Sequence, residues 1–329
     1  MKALVYTGPK ALDYRDAPDP EPRDGEAIVK VEAVGICGSD MHAFLGHDER
    51  RPAPLILVHE AAGTVETGNL AGKRVTVNPL VTCGTCEACR KGRDNLCPNR
   101  QIISMAPRPG AFAEYLAIPE TNLVEIPKGV SVEKACLAEP IACGWHAVRV
   151  ALRHDPDALK RGTCLVIGGG AIGLGAALSL NAAGATRIVI AETNSRRHGA
   201  LKGAGPFEIV DPTSEPLTIE ADVVIDGVGF SATRKLASRI AKPGGIIVHI
   251  GLGESEGGLD IRRMTLQEIA FVGTYTYTPE DFLQTAAAIF DGRLGTLDWP
   301  QMRALSEGAA AFGEILNGSI AAPKIVLAP

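Results

Sequence analysis

Residues 163–186, TCLVIGGGAIGLGAALSLNAAGAT, carry no charge and admit few folds. Their length and hydropathy could make a membrane span, and Gly169-x-x-x-Gly173 would suit helix pairing there. Gly168, Gly169 and Gly170 argue otherwise: they interrupt the run after the strand-like Cys164-Leu165-Val166-Ile167, a break that fits a strand-to-helix turn. Gly168, Gly170 and Gly173 then form G-x-G-x-x-G, followed by a helical run to about 183 and an apolar strand over 187–191. Glu192 stands 19 residues past the last glycine. In that setting Gly168 permits the tight turn, Gly170 lets backbone approach a pyrophosphate, and Gly173 lets helix pack on strand. Ala171 and Ile172 open the helix, whose free N–H groups and dipole favour phosphate. A carboxylate at Glu192 can accept both hydroxyls of a ribose and would repel a 2′-phosphate; the plainer alternative is a solvated strand end. Further apolar strands at 207–210, 222–226, 246–250 and 270–275, with a helix at 231–241, predict an α/β doubly wound parallel sheet.

The rest of the chemistry is concentrated in cysteine, histidine and carboxylates. Four of the eight cysteines, Cys83, Cys86, Cys89 and Cys97, are spaced C-x2-C-x2-C-x7-C among polar residues, so they do not read as core thiols. Four thiolates at that spacing can close a tetrahedral zinc site. An iron–sulfur run would place its fourth cysteine after three residues rather than seven. A second constellation begins at Gly35-Ile-Cys-Gly-Ser-Asp-Met-His42. Cys37 can ligate as thiolate, Ser39 can pass a proton, Asp40 can accept the free N–H of a metal-binding histidine, and His42 can carry a proton to solvent. The motif gains force from His59-Glu60 and Glu139-Pro140. Together they offer one sulfur, one imidazole and two carboxylates, a set suited to a catalytic zinc with an open position. Cys136, Cys143 and His146 lie on apolar faces and read as core, while His47 reads as a solvated loop residue.

The length of 329 residues predicts two domains, and 46% hydrophobic residues supply cores for both. The 37 glycines and 5% aromatics favour tight α/β turns. A net charge of −5 without a basic cluster speaks against nucleic acid as a partner. The N-terminus has no apolar signal region, so a cytoplasmic protein without membrane association is expected. Residues 1–35 read as short antiparallel strands, and a final strand over 324–327 is expected to return to the first domain. The expected boundaries are 1–143, 144–278 and 279–329.

These motifs resemble the zinc-dependent medium-chain dehydrogenase/reductase family, nearest its polyol (sorbitol-like) and threonine dehydrogenase branch. Glu139-Pro140 stands where liver-type alcohol dehydrogenases carry a third zinc-binding cysteine. The resemblance implies a GroES-like, β-rich catalytic domain and a Rossmann domain with the active site between them. It implies two zinc ions per chain, structural on Cys83, Cys86, Cys89 and Cys97, catalytic on Cys37 and His59 with Glu60 and Glu139 as alternating carboxylates. Ser39 and His42 match the proton relay, and Asp40 the partner of the zinc histidine. Arg197 matches an adenosine-side contact; Val228, Ile250, Leu252, Thr274 and Tyr275 match the nicotinamide pocket. The implied activity is NAD-dependent oxidation of a secondary alcohol (polyol, sugar alcohol or sugar acid) by a homodimer or homotetramer. The rivals are an NADPH-dependent zinc aldehyde reductase and a non-catalytic nucleotide-binding scaffold. The chain departs from the family pattern at Val58, where glycine is usual, in a shortened segment after Glu60, and at Ala171, where proline is frequent.

Overall fold

The computed structural model describes residues 1–329, apart from the side chain of Arg161. The glycine motif lies where a strand meets a helix. Thr163–Ile167 is fully buried, and Ala171–Ala182 is the helix that follows. Six strands form one parallel sheet in the spatial order Glu208–Val210, Arg187–Ala191, Thr163–Ile167, Ala221–Asp226, Ala241–His249, Ala270–Gly273. The order reverses beside Thr163–Ile167, which opens a crevice at the carboxyl ends of the strands. Two strands differ from expectation. The helix Ser231–Ile240 passes directly into the strand Ala241–His249. The last strand stops at Gly273 rather than 275, because Thr276 adopts a φ of 46° and Thr278 caps the helix Pro279–Phe290. No helix among the described residues is long and apolar enough to cross a membrane.

The first part of the chain is the β-rich GroES-like unit. Its seven-stranded sheet is centred on Glu26–Gly35, which pairs antiparallel with Glu60–Val65, Tyr115–Pro119 and Lys324–Ala328. The final strand thus returns to the first sheet. It brings Pro300–Ala304, a parallel neighbour that sequence reading did not identify.

The helix Ala138–His154 runs unbroken through residues 143 and 144 and packs on Ala171–Ala182. The backbones can approach because the crossing is made of glycine. A Cβ on Gly144 would lie 2.4 Å from the Ala176 nitrogen, and one on Gly175 would lie 3.0 Å from Ile141 Cα. Cys136, Cys143 and His146 are buried, as expected of core residues.

His146 Nδ1 lies 2.8 Å from Asp281 Oδ2, which also accepts from Arg149 at 2.6 Å and from the Thr278 hydroxyl at 2.7 Å. Burial pushes the Asp281 carboxyl up, but its hydrogen bonds from His146 and Thr278 outweigh this and hold it below the usual value. A depressed folded-state pKa gives stability that is present above the unfolded value of about 3.9 and lost as pH falls through the folded value. Asp281→Asn is therefore expected to flatten the acid limb of the stability profile below about pH 4, read by denaturant midpoints across pH.

Candidate active site

The strand Glu26–Gly35 delivers Cys37 to the start of the helix Gly38–Phe44. Ser39 Oγ donates to Cys37 Sγ at 3.4 Å. Burial first, then the charge of Glu60, pushes the Cys37 thiol up to about 12, so ionisation there calls for a cation. His59 follows Val58, whose φ of 75° places a β-branched side chain in the left-handed region. That conformation explains why glycine is the easier residue at this position.

Asp40 does not meet His59 as expected. Its Oδ2 accepts from the Cys37 N–H at 3.0 Å and its Oδ1 from the Val58 N–H at 3.2 Å. Neither N–H has another partner among the described residues, and a buried N–H left unpaired is costly. The carboxylate therefore joins the two backbone segments that carry Cys37 and His59. The group facing His59 Nδ1 is the Ser104 hydroxyl, at 3.3 Å.

Glu60 and Glu139 are buried differently. Glu60 Oε1 accepts from Lys324 Nζ at 2.7 Å, and the same ammonium donates to the Ile36 carbonyl at 2.8 Å. Glu60 Oε2 has no hydrogen-bond partner and lies over Gly35, where a Cβ would come within 2.1 Å of it. Glu139 Oε1 accepts from the Tyr277 hydroxyl at 2.8 Å, and burial raises its carboxyl above the usual range. Sequence reading missed Lys324 as a site residue, although a lysine heading the apolar KIVLA was a signal. Tyr277 and Ser104 carried none.

Cys37, Ser39, His42, His59 and Glu139 line a cleft of about 330 Å³ whose other wall holds Val228, Ile250, Leu252, Thr274 and Tyr275. The cleft shares Cys37, Ile172 and Val228 with a cavity of about 750 Å³ lined by the glycine turn, Ala171, Glu192 and Arg197. Glu60 and Lys324 face that larger cavity. Two of the three motif glycines stand where a side chain is disfavoured. Gly168 has a φ of 95°, a Cβ on Gly170 would meet only Arg197 Nη1, at 3.9 Å, and a Cβ on Gly173 would stand 1.8 Å from the Gly168 carbonyl. Glu192 is more occupied than expected. Its carboxylate accepts from the N–H groups of Gly169 at 2.8 Å and Asn194 at 2.7 Å, with Arg197 Nη1 at 3.4 Å.

The ligand atoms of Cys83, Cys86, Cys89 and Cys97 lie within 4.8 Å of one another, the only such group of three or more metal donors among the described residues. The N–H groups of Thr85 and Cys86 hold Cys83 down at about 5, while burial and the neighbouring sulfurs push Cys89 up to about 12. Crowded thiols resist a second ionisation, and a cation removes that resistance, so this donor set fits a closed metal site. The lobe is tied to the cleft: Asn95 donates to the Tyr275 carbonyl at 2.7 Å, and the Arg100 guanidinium lies 4.8 Å from the Tyr275 ring centroid. The donors Cys37, His59, Glu60 and Glu139 stand further apart, yet the partnerless Glu60 Oε2 and the soft-plus-hard ligand mix also fit a metal.

Comparison with known proteins supports the two-part fold. The profile of the alcohol dehydrogenase GroES-like domain matches residues 23–128, and that of the zinc-binding dehydrogenase matches 171–291. L-galactonate-5-dehydrogenase of Escherichia coli (strain K12) is 32% identical over 89% of this chain and 88% of its own length. A zinc-binding dehydrogenase from Sinorhizobium meliloti 1021, solved bound to NADP, has a TM-score of 0.87 and 28% identity, covering 100% of this chain and 99% of its own. Acetophenone reductase from Geotrichum candidum, solved in complex with NAD, has a TM-score of 0.88 and 26% identity over 100% and 97%. The chain is an oxidoreductase and belongs to the zinc-dependent medium-chain alcohol dehydrogenase superfamily.

Proposed function

We propose that the protein oxidises a secondary alcohol of a polyol, sugar alcohol or sugar acid to a ketone with NAD. The observation that carries this is one cleft holding Cys37, His59, Glu139, Ser39 and His42 and opening onto the dinucleotide cavity at Ile172 and Val228. Cys37, His59 and Glu139 would hold a catalytic zinc from the cleft side, with Glu60 behind them on Lys324; Cys83, Cys86, Cys89 and Cys97 would hold a structural one. Bound there, zinc supplies Lewis acidity that lowers the pKa of a coordinated hydroxyl.

The chain's own residues do the rest. Ser39 accepts the hydroxyl proton and passes it to the exposed His42, and the carbinol hydrogen leaves with its electron pair for the nicotinamide ring. The wall of Val228, Ile250, Leu252, Thr274 and Tyr275 would flank the nicotinamide in that transfer. Glu192 disfavours a 2′-phosphate by like charge in a buried place, which supports NAD over NADP. Two carboxylates with one thiolate suit a vicinal diol better than a simple alkanol. The domain limits 1–143, 144–278 and 279–329, a homodimeric or homotetrameric assembly and a cytoplasmic setting belong to this reading.

A panel of polyols, aldonates and simple secondary alcohols with NAD and NADP, followed by reduced-nicotinamide absorbance, tests it. The expected result is turnover of a polyol or aldonate with NAD at least about tenfold better in kcat/KM than with NADP, ~1.4 kcal/mol. No turnover by fully zinc-loaded protein sinks the reading, and a preference for NADPH with aldehydes replaces it with the reductase.

A further inference from the structure

A buried arginine and a strained serine lie behind His59. Arg51 is 2% exposed. Its Nη1 donates to the Ser39 carbonyl at 2.8 Å and its Nε to the Ser104 carbonyl at 3.2 Å. Ser104 is fully buried, with a φ of 74°, and its hydroxyl stands 3.3 Å from His59 Nδ1. One guanidinium therefore fixes two backbone points, at the relay serine and at the residue facing the imidazole. Asp48 Oδ2, 3.5 Å from Arg51 Nη1, is the nearby counter-charge.

Together these contacts solve the orientation of His59. Asp40 is committed to the Cys37 and Val58 backbone and leaves the ring without a carboxylate partner. An imidazole whose Nδ1–H donates to an oxygen presents Nε2 as a lone pair, and that second partner sets both tautomer and ring orientation. Ser104 supplies the oxygen. It holds a left-handed backbone that a non-glycine residue adopts only at a cost, and Arg51 pins its carbonyl there. A serine with no task beyond packing would be replaced at lower cost by glycine.

We infer that Arg51 and Ser104 form the positioning pair for His59: Ser104 sets the tautomer and direction of the imidazole, and Arg51 locks Ser104 and the Ser39 carbonyl into one frame. The inference rests on the reading of His59 as a ligand of the catalytic metal. It assigns to a hydroxyl and a guanidinium the orienting role that the motif suggested for Asp40.

The decisive variant is Ser104→Gly. Glycine relaxes the left-handed backbone while removing the hydroxyl, so folding and positioning are pushed in opposite directions. Zinc-loaded wild type and variant are titrated with a chromogenic chelator, and zinc per chain, thermal midpoint and NADH affinity are followed in parallel. The expected result is a variant at least as heat-stable as wild type, with NADH affinity unchanged. The zinc proposed for Cys37, His59 and Glu139 should be held about 10–100-fold more weakly, while the one on the four cysteines stays in place. Ser104→Thr, which restores a hydroxyl, is expected to recover part of that loss. Wild-type zinc retention in Ser104→Gly, with or without full activity, overturns the positioning role. A wild type that carries only one zinc after full loading overturns instead the assignment of His59 as a ligand, so the two failures are distinguishable.

Discussion

Replacing Lys324 by methionine is expected to destabilise the protein by about 3–5 kcal/mol, the cost of leaving one member of a buried ion pair without its partner. The side chains of Lys324 and Glu60 are 3% and 0% exposed, so solvent cannot screen the abandoned charge. Glu60 Oε2 has no other hydrogen bond to fall back on. Methionine preserves most of the lysine stem, so lost packing contributes little. The same ammonium holds the Ile36 carbonyl, one residue before Cys37, and the damage should reach the cleft. Adding Glu60→Gln removes the stranded charge and should restore part of the stability, because deleting both charges costs less than deleting one. Urea unfolding of the wild type, both single variants and the double variant gives the coupling. A loss below about 0.5 kcal/mol in Lys324→Met would mean the pair is not buried in solution.

The parallel sheet was legible because its determinants are local. Gly168 must turn, Gly173 must let a helix approach, and the apolar strands need only be counted. The four-cysteine lobe was legible for the same reason, its ligands lying within fifteen residues. The site between the two parts was legible only as a list of donors. Lys324 meets Glu60 across 264 residues of sequence, and Tyr277 meets Glu139 across 138. No spacing rule reaches that far. Asp40 shows a different limit. The motif marked it as the partner of the metal-binding histidine, but its carboxylate takes the N–H of Val58, a residue that departs from the usual glycine. The strand Pro300–Ala304 escaped because PQMRA lacks an apolar alternation and is defined only by pairing with Lys324–Ala328.

The largest functional effect is expected from Ser39→Ala, with turnover falling by about 10²–10⁴-fold, the range for losing a positioned proton acceptor. Ser39 lines the cleft beside Cys37, and its hydroxyl is a hydrogen bond away from the Cys37 sulfur. Arg51 holds its backbone carbonyl, and the hydroxyl is held by its hydrogen bond to Cys37 Sγ. His42 lies one helical turn further on, lines the same cleft and is exposed, so it is the member of the proposed relay that reaches solvent. Alanine keeps the helix and removes no ligand, so zinc content and NADH affinity should stay at wild-type levels. His42→Ala should lose less, and added imidazole buffer should recover part of the loss, since a small base in solution can take over an exposed relay member. Buffer rescue of Ser39→Ala should be weaker, because its hydroxyl sits inside the cleft. Normal turnover by Ser39→Ala on the best substrate would remove the relay while leaving the dehydrogenase reading intact. A parallel loss of zinc in the same variant would instead make the hydrogen bond to Cys37, not proton transfer, the task of Ser39.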